Sequence, residues 1–268
     1  MMHALLMTLA VALYAAALIA LLAGLRDRVL IARSERFGMR LAIPAVVVHA
    51  ILLWQSSYTA AGLNLSVLNA ASLLGWLMAV MLLLAAPRQP IQSLGLVIFP
   101  FAALTLLAAG LFGVPARTLV PLGAPVEIHV ISSVIAYAVL GLATAQALLL
   151  AWQEHTLRHR RPGAVIGILP PLRSMEALLF QLLASGFVLL SIALLTGWLF
   201  VENLLAQDLV HKTVLSGVAW FVFAALLIGR YRAGWRGRTA IRWTLTGFVL
   251  LALAYFGSKV VLEVILGR

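Results

Sequence analysis

The chain has 268 residues, of which 64% are hydrophobic and only 10% charged; its net charge is +11 and it contains no cysteine. Soluble domains carry roughly a quarter charged residues, so this composition marks an integral membrane protein and excludes a sizeable soluble domain. The missing cysteine excludes disulfides, thiolate metal sites and thiol exchange within the chain. The positive charge lies in short loops between apolar runs, where retention on one side of a membrane accounts for it without a nucleic acid partner.

In chain order the apolar runs fall at about 3–25, 40–57, 67–86, 93–113, 127–152, 176–200, 211–229 and 240–265, each close to the ~20 residues that cross a bilayer as a helix. The expected fold is an all-α integral membrane protein with eight transmembrane helices, in a single polytopic domain over 1–268. No Lys or Arg precedes the first run and Arg26-Asp27-Arg28 follows it, which fits a retained span better than a signal peptide. Pro44 and Pro100 fall inside spans, where neighbouring helices can satisfy the freed carbonyls. The loops after spans one, three, five and seven hold fifteen of the nineteen Lys and Arg residues. That bias places those loops in the cytoplasm and both termini on the outer side.

The fifth run organises the chain. It opens on Glu127-Ile128-His129 and carries no charge between His129 and Glu154. Ser133, Tyr137 and Thr144 follow His129 at helical spacing, a stripe that is costly against lipid and is expected to face other helices or a ligand. His129 opens span five and His211 opens span seven, both at the outer face. Two imidazoles at one depth can ligate haem iron from both sides within an apolar helical pocket. An interfacial histidine bonded to a carbonyl or to water has the same sequence signature, and both readings stay open here. His49, midway along span two, reads as a packing histidine bonded to a neighbouring helix. His155 and His159 lie among arginines that would repel a cation, so they read as a solvated face. Lys259 and Glu263 are spaced to pair with each other. The spans hold almost no acidic residue, which counts against proton-coupled transport, and no spacing assembles a hydrolase constellation.

Several short motifs recur in a telling order. Glu127-Ile128-His129-Val130 is followed by Tyr137-Ala138 and Gln153-Glu154. Then come Pro170-Pro171-Leu172, Glu176, Gly186-Phe187 and Leu195-Thr196-Gly197-Trp198. His211-Lys212-Thr213, Ala219-Trp220 and Gly234-Trp235-Arg236-Gly237 complete the series. This order resembles the cytochrome c assembly family of the CcsA/CcmC type, with the eight-span plan of its HemX/YpjD-like inner-membrane subgroup. Ordered matches cover about 125–240, within a family-like core of about 40–265.

The resemblance implies a multi-pass protein of the bacterial inner (plasma) membrane that binds haem at the outer face and takes part in attaching it to c-type cytochromes. His129 falls at the family's first external haem-ligand position. Tyr137 and Trp198, in the same motifs, join it as candidate cofactor-binding residues. His211 is a weaker candidate iron ligand, since its place rests on topology and not on the family pattern.

The departures are as informative. The tryptophan-rich loop of the synthases is here Trp198-Leu199-Phe200-Val201-Glu202-Asn203, with one tryptophan. Gly257, Ser258 and Lys259 stand where a second external histidine is expected, and Leu63-Asn64 and Gly229 where the intramembrane histidines are. The expectation is an accessory or regulatory haem-handling protein rather than an enzyme. Its partners would be haem, other cytochrome c maturation or membrane proteins and the lipid bilayer, with no nucleic acid. A scaffold that kept the fold without the cofactor is the alternative, and a small-molecule transporter is less favoured.

Overall fold

A computed structural model of the chain describes residues 2–24, 31–59, 62–113, 124–158, 169–200, 207–257 and 260. The expected Lys259–Glu263 pair, His159 and Val201–Asn203 lie outside the described residues.

Among the described residues, the regular structure is helical apart from one two-stranded antiparallel hairpin. The helices are α1 (Met2–Gly24), α2 (Ile31–Ser57), α3 (Val67–Ala85), α4 (Gly95–Phe112), α5 (Ala124–Arg158), α6 (Leu172–Phe200), α7 (Gln207–Ala233) and α8 (Arg238–Ala252). The hairpin pairs β1 (Tyr58–Thr59) with β2 (Gly62–Leu63) between α2 and α3. A 3-10 turn, Gln92–Leu94, leads into α4, and a π turn, Leu253–Gly257, prolongs α8. Eight of these segments are long and apolar enough to cross a membrane, as the sequence leads one to expect.

The helices outrun the apolar segments at their polar ends. Helix α2 starts at Ile31, through Arg33, Glu35 and Arg36, and α5 continues to Arg158. Arg and Glu are good helix formers, so the backbone ladder continues into the aqueous layer where apolarity stops. At the end of α5 the Glu154–Arg158 ion pair, 3.0 Å and one turn apart, supports the extension.

The helices group into two compact units. The first comprises Met1–Val120 with Trp152–Pro171, and the second Pro121–Ala151 with Leu172–Arg268.

In the first unit, small residues let backbones approach closely, which is how helices associate where no water drives them together. A methyl at Gly38 of α2 would lie 3.0 Å from the Ala17 carbonyl of α1, and one at Gly75 of α3 would lie 3.0 Å from Ala102 Cα of α4. Trp76 donates its indole N–H to the Val46 carbonyl at 3.0 Å. The centre of this unit is polar and closed. His49 is fully buried; its Nδ1 lies 3.2 Å from the Tyr14 hydroxyl and its Nε2 2.9 Å from the Ser72 hydroxyl. Phe99 of α4 packs against the Tyr14 ring, so residues from four helices meet there.

In the second unit, α5 meets α6 at Gly186, where a methyl would lie 2.7 Å from the Leu140 side chain. Helix α6 meets α7 through Phe187 and Trp220, whose rings are 5.1 Å apart, and the Trp220 indole N–H donates to Ser191 Oγ at 2.8 Å. Helix α7 meets α8 at Gly247, under the Phe223 ring.

Candidate functional site

His129 sits on the second turn of α5, half-buried, with its ring laid against α6. Its Nδ1 is 3.0 Å from the Ala193 carbonyl and 3.3 Å from Thr196 Oγ1. A carbonyl oxygen can only accept, so Nδ1 carries the proton and shares it between the two oxygens. Thr196 gives its own hydroxyl proton to the same Ala193 carbonyl at 3.0 Å. Ser132 bonds the His129 carbonyl at 3.0 Å and comes within 3.4 Å of Thr196 Oγ1, closing a small polar clasp.

This arrangement settles the tautomer of the neutral ring. With the proton on Nδ1, the lone pair is on Nε2, the atom with no hydrogen-bond partner among the described residues. A histidine whose Nδ1–H is held by a backbone carbonyl has its ring orientation fixed and its other nitrogen made more basic, as in metal-ligating histidines. Gly197 makes the close fit possible: a methyl there would lie 2.9 Å from His129 Cε1.

Tyr137, two turns further along α5 and so about 12 Å deeper, does not join this clasp. It donates its hydroxyl proton to the Leu251 carbonyl at 2.6 Å and meets the Tyr255 ring edge-on at 6.3 Å. The acceptor lies just ahead of the π turn, and a side chain entering the backbone ladder is a recognised cause of such widening. The stripe expected below His129 therefore divides. Ser132 and not Ser133 shares the His129 contact, Tyr137 turns to α8, and Thr144 bonds its own Leu140 carbonyl at 2.9 Å.

The other two candidates are exposed. Trp198 follows Gly197 at the end of α6 and is 71% exposed, and His211 lies exposed near the start of α7 with no hydrogen bond to a described residue. His155 is also exposed, whereas His49 is bonded to two neighbouring helices, one more than the expected single partner. Sequence reasoning missed Ala193 and Thr196 as the partners of His129. The available signal was the Thr196-Gly197 pair, a hydroxyl next to a residue that admits close approach.

Among the described residues no three His, Asp or Glu side chains cluster to hold a metal ion by themselves. One fixed imidazole nitrogen does suit haem, whose porphyrin already supplies four ligands to its iron and asks the protein for axial ones.

Comparison with known proteins adds the evolutionary setting. The family model described as "Cytochrome C assembly protein" matches residues 38–266. The "Inner membrane protein YpjD" of Escherichia coli K12 is 35% identical over 233 residues, covering 86% of this chain and 88% of that protein. An uncharacterised 28.8 kDa protein of Azospirillum brasilense is 39% identical over 152 residues, 54% of this chain and 55% of its own length. The "Cytochrome c biogenesis protein CcsA" of Gloeobacter violaceus is 28% identical over 86 residues, 31% of this chain and 25% of its own. No solved structure matches.

Proposed function

The chain belongs to the cytochrome c assembly protein family, and from that premise we propose that it is a haem-handling protein of the bacterial inner membrane, with His129 as the residue that would hold the haem iron. The observation that carries the reading is the His129 clasp: Nδ1–H held by Ala193 and Thr196, and Nε2 with no hydrogen-bond partner among the described residues.

The clasp and the family membership support the following roles. His129 Nε2 would hold the iron. The Ala193 carbonyl and Thr196 hydroxyl hold the ring's orientation and proton position, and Gly197 leaves the room the ring occupies. Trp198, exposed at the end of α6, and Tyr137, deeper in the span, would add aromatic surface to the pocket. His211 of α7 would be a second, weaker residue to hold the iron. When bound, haem would supply a redox-active iron and the vinyl groups to which the thiols of a c-type cytochrome add.

The arginine bias orients the protein with both termini outside, so that His129 and His211 open their spans at the outer face. An accessory or regulatory role suits the chain better than that of a synthase, because the segment 198–203 lacks the tryptophan-rich motif and the chain has no cysteine of its own.

The test is an absorption spectrum of the detergent-purified protein, oxidised and reduced, for the wild type, His129→Ala and His211→Ala. Sharp reduced bands lost in both variants establish a bis-histidine site. Loss in His129→Ala alone keeps one ligand and removes His211. A wild type that stays colourless after hemin is added overturns the haem reading and leaves a membrane scaffold.

A further inference from the structure

One end of the second unit carries more positive charge than its own carboxylates neutralise. Glu176, in the first turns of α6, accepts the backbone N–H of Gly237 at 2.8 Å, which ties the turn between α7 and α8 to α6. One helical turn further along α6, the Arg230 guanidinium of α7 stands over the Phe180 ring, 4.6 Å from its centroid, and donates to the Trp235 carbonyl at 3.3 Å. The ends of three helices therefore meet at Glu176 and Phe180.

The turn itself is built with care. Gly234 and Gly237 hold φ of 64° and 54°, values that side chains rarely adopt. The Trp235 indole folds back over Gly229, where a methyl would lie 2.4 Å from the ring, and packs against Trp243 with ring centroids 5.1 Å apart and planes tilted by 41°. The nearby Tyr231 is 86% exposed.

Around this aromatic turn Arg173, Arg232, Arg236 and Arg242 are exposed, and no carboxylate among the described residues pairs with them. Glu176 already has the Gly237 N–H as a partner. A guanidinium fork matches the oxygens of a phosphate in paired hydrogen bonds. Tryptophan and tyrosine settle at headgroup level, with the ring in the apolar layer and the polar edge in the wet one. Basic pockets between membrane helices hold anionic headgroups for these reasons.

We propose that the α6–α7–α8 end of this unit is a binding site for an anionic phospholipid. Arg232, Arg236 and Arg242, with Arg173 beside them, hold the headgroup phosphate. The Trp235–Trp243 pair packs on the glycerol and upper acyl chain. The occupant is a lipid rather than free phosphate, because the arginines flank membrane-crossing helices and the aromatic pair supplies the apolar half of the contact. The site is independent of the haem reading.

The test titrates the delipidated full-length protein in detergent with phosphatidylglycerol, phosphatidylcholine or inorganic phosphate. It reads tryptophan fluorescence and the thermal unfolding midpoint. The wild type should saturate with phosphatidylglycerol and gain several degrees, with little response to phosphatidylcholine or phosphate. The Arg232→Gln/Arg236→Gln/Arg242→Gln variant should bind phosphatidylglycerol at least about tenfold more weakly. The corresponding triple Lys variant should lose only a few-fold, since it keeps charge but not the fork. Arg158→Gln, in the first unit, should bind like the wild type. Equal responses to the two lipids, full affinity in the triple Gln variant, or the same loss in Arg158→Gln would each overturn the site. A response to phosphate alone that matches the lipid would overturn the lipid as its occupant. The three arginines are exposed, so the variant's lipid-free unfolding midpoint shows whether it has folded as the wild type does.

Discussion

Two histidines in this protein have opposite fates. His49, at the centre of the first unit, has both ring nitrogens engaged, by Tyr14 and by Ser72, and no solvent exposure. His129, at the end of a span in the second unit, has Nδ1 engaged by Ala193 and Thr196 and Nε2 unengaged among the described residues. A ring with both nitrogens satisfied has nothing left to offer a ligand, and its work is to join helices. A ring satisfied on one side is oriented and still has a lone pair to give. Burial alone therefore does not separate the two rings; which nitrogen is already engaged does.

That contrast can be broken by substitution. The largest expected effect is on the cofactor: His129→Ala should abolish haem absorbance in the purified protein. It should change stability by less than about 1 kcal/mol, because the ring is half-buried and Thr196 keeps its own bond to Ala193. A large fall in the unfolding midpoint would make His129 a structural residue like His49.

His49→Ala should do the reverse. It leaves the Tyr14 and Ser72 hydroxyls unpaired beside a new cavity and should cost about 2–4 kcal/mol, read as a lowered unfolding midpoint in detergent. The protein that remains folded should keep its haem spectrum. Loss of the spectrum at unchanged stability would place His49 in the cofactor site and end the comparison.

Gly197→Ala sharpens the contrast from the backbone side. A methyl 2.9 Å from His129 Cε1 must push the ring away from Ala193, so hemin affinity should fall about tenfold, equivalent to about 1.4 kcal/mol. Unchanged affinity in a hemin titration would show that the clasp does not orient the ligand. Two removals should have the smallest effects. Thr196→Val takes one oxygen from the clasp, and Tyr14→Phe takes one bond from the His49 network. Each should cost about 0.6 kcal/mol, the usual size of a side-chain hydrogen bond between membrane helices. Differential scanning of both variants, together with the Tyr14→Phe/Ser72→Ala double variant, would show whether the two bonds to His49 act independently.

Chain length and apolarity determined the eight helices, among the described residues, that are long and apolar enough to cross a membrane, because spanning a bilayer demands only about 20 apolar residues in a row, a property read within each segment. The ordered motifs from Glu127 to Gly237 likewise carried the family, since each is a short local string. The helix ends were less legible. The apolar run of α2 begins near residue 40, but the helix begins at Ile31, because backbone hydrogen bonding does not stop where hydropathy does.

Tertiary structure alone decided the contacts at the candidate site. His129 finds its partner 64 residues away, Tyr137 donates to a carbonyl 114 residues away, and His49 meets Tyr14 across 35. Nor does helical spacing tell Ser132 from Ser133 as the residue that shares His129's contact; the direction from which α6 approaches does. Hydropathy is a sum over neighbours in the chain, whereas a hydrogen bond depends on which helix packs on which face. In a membrane that choice is made by small residues such as Gly186 and Gly197, whose effect appears only when the opposing helix is in place.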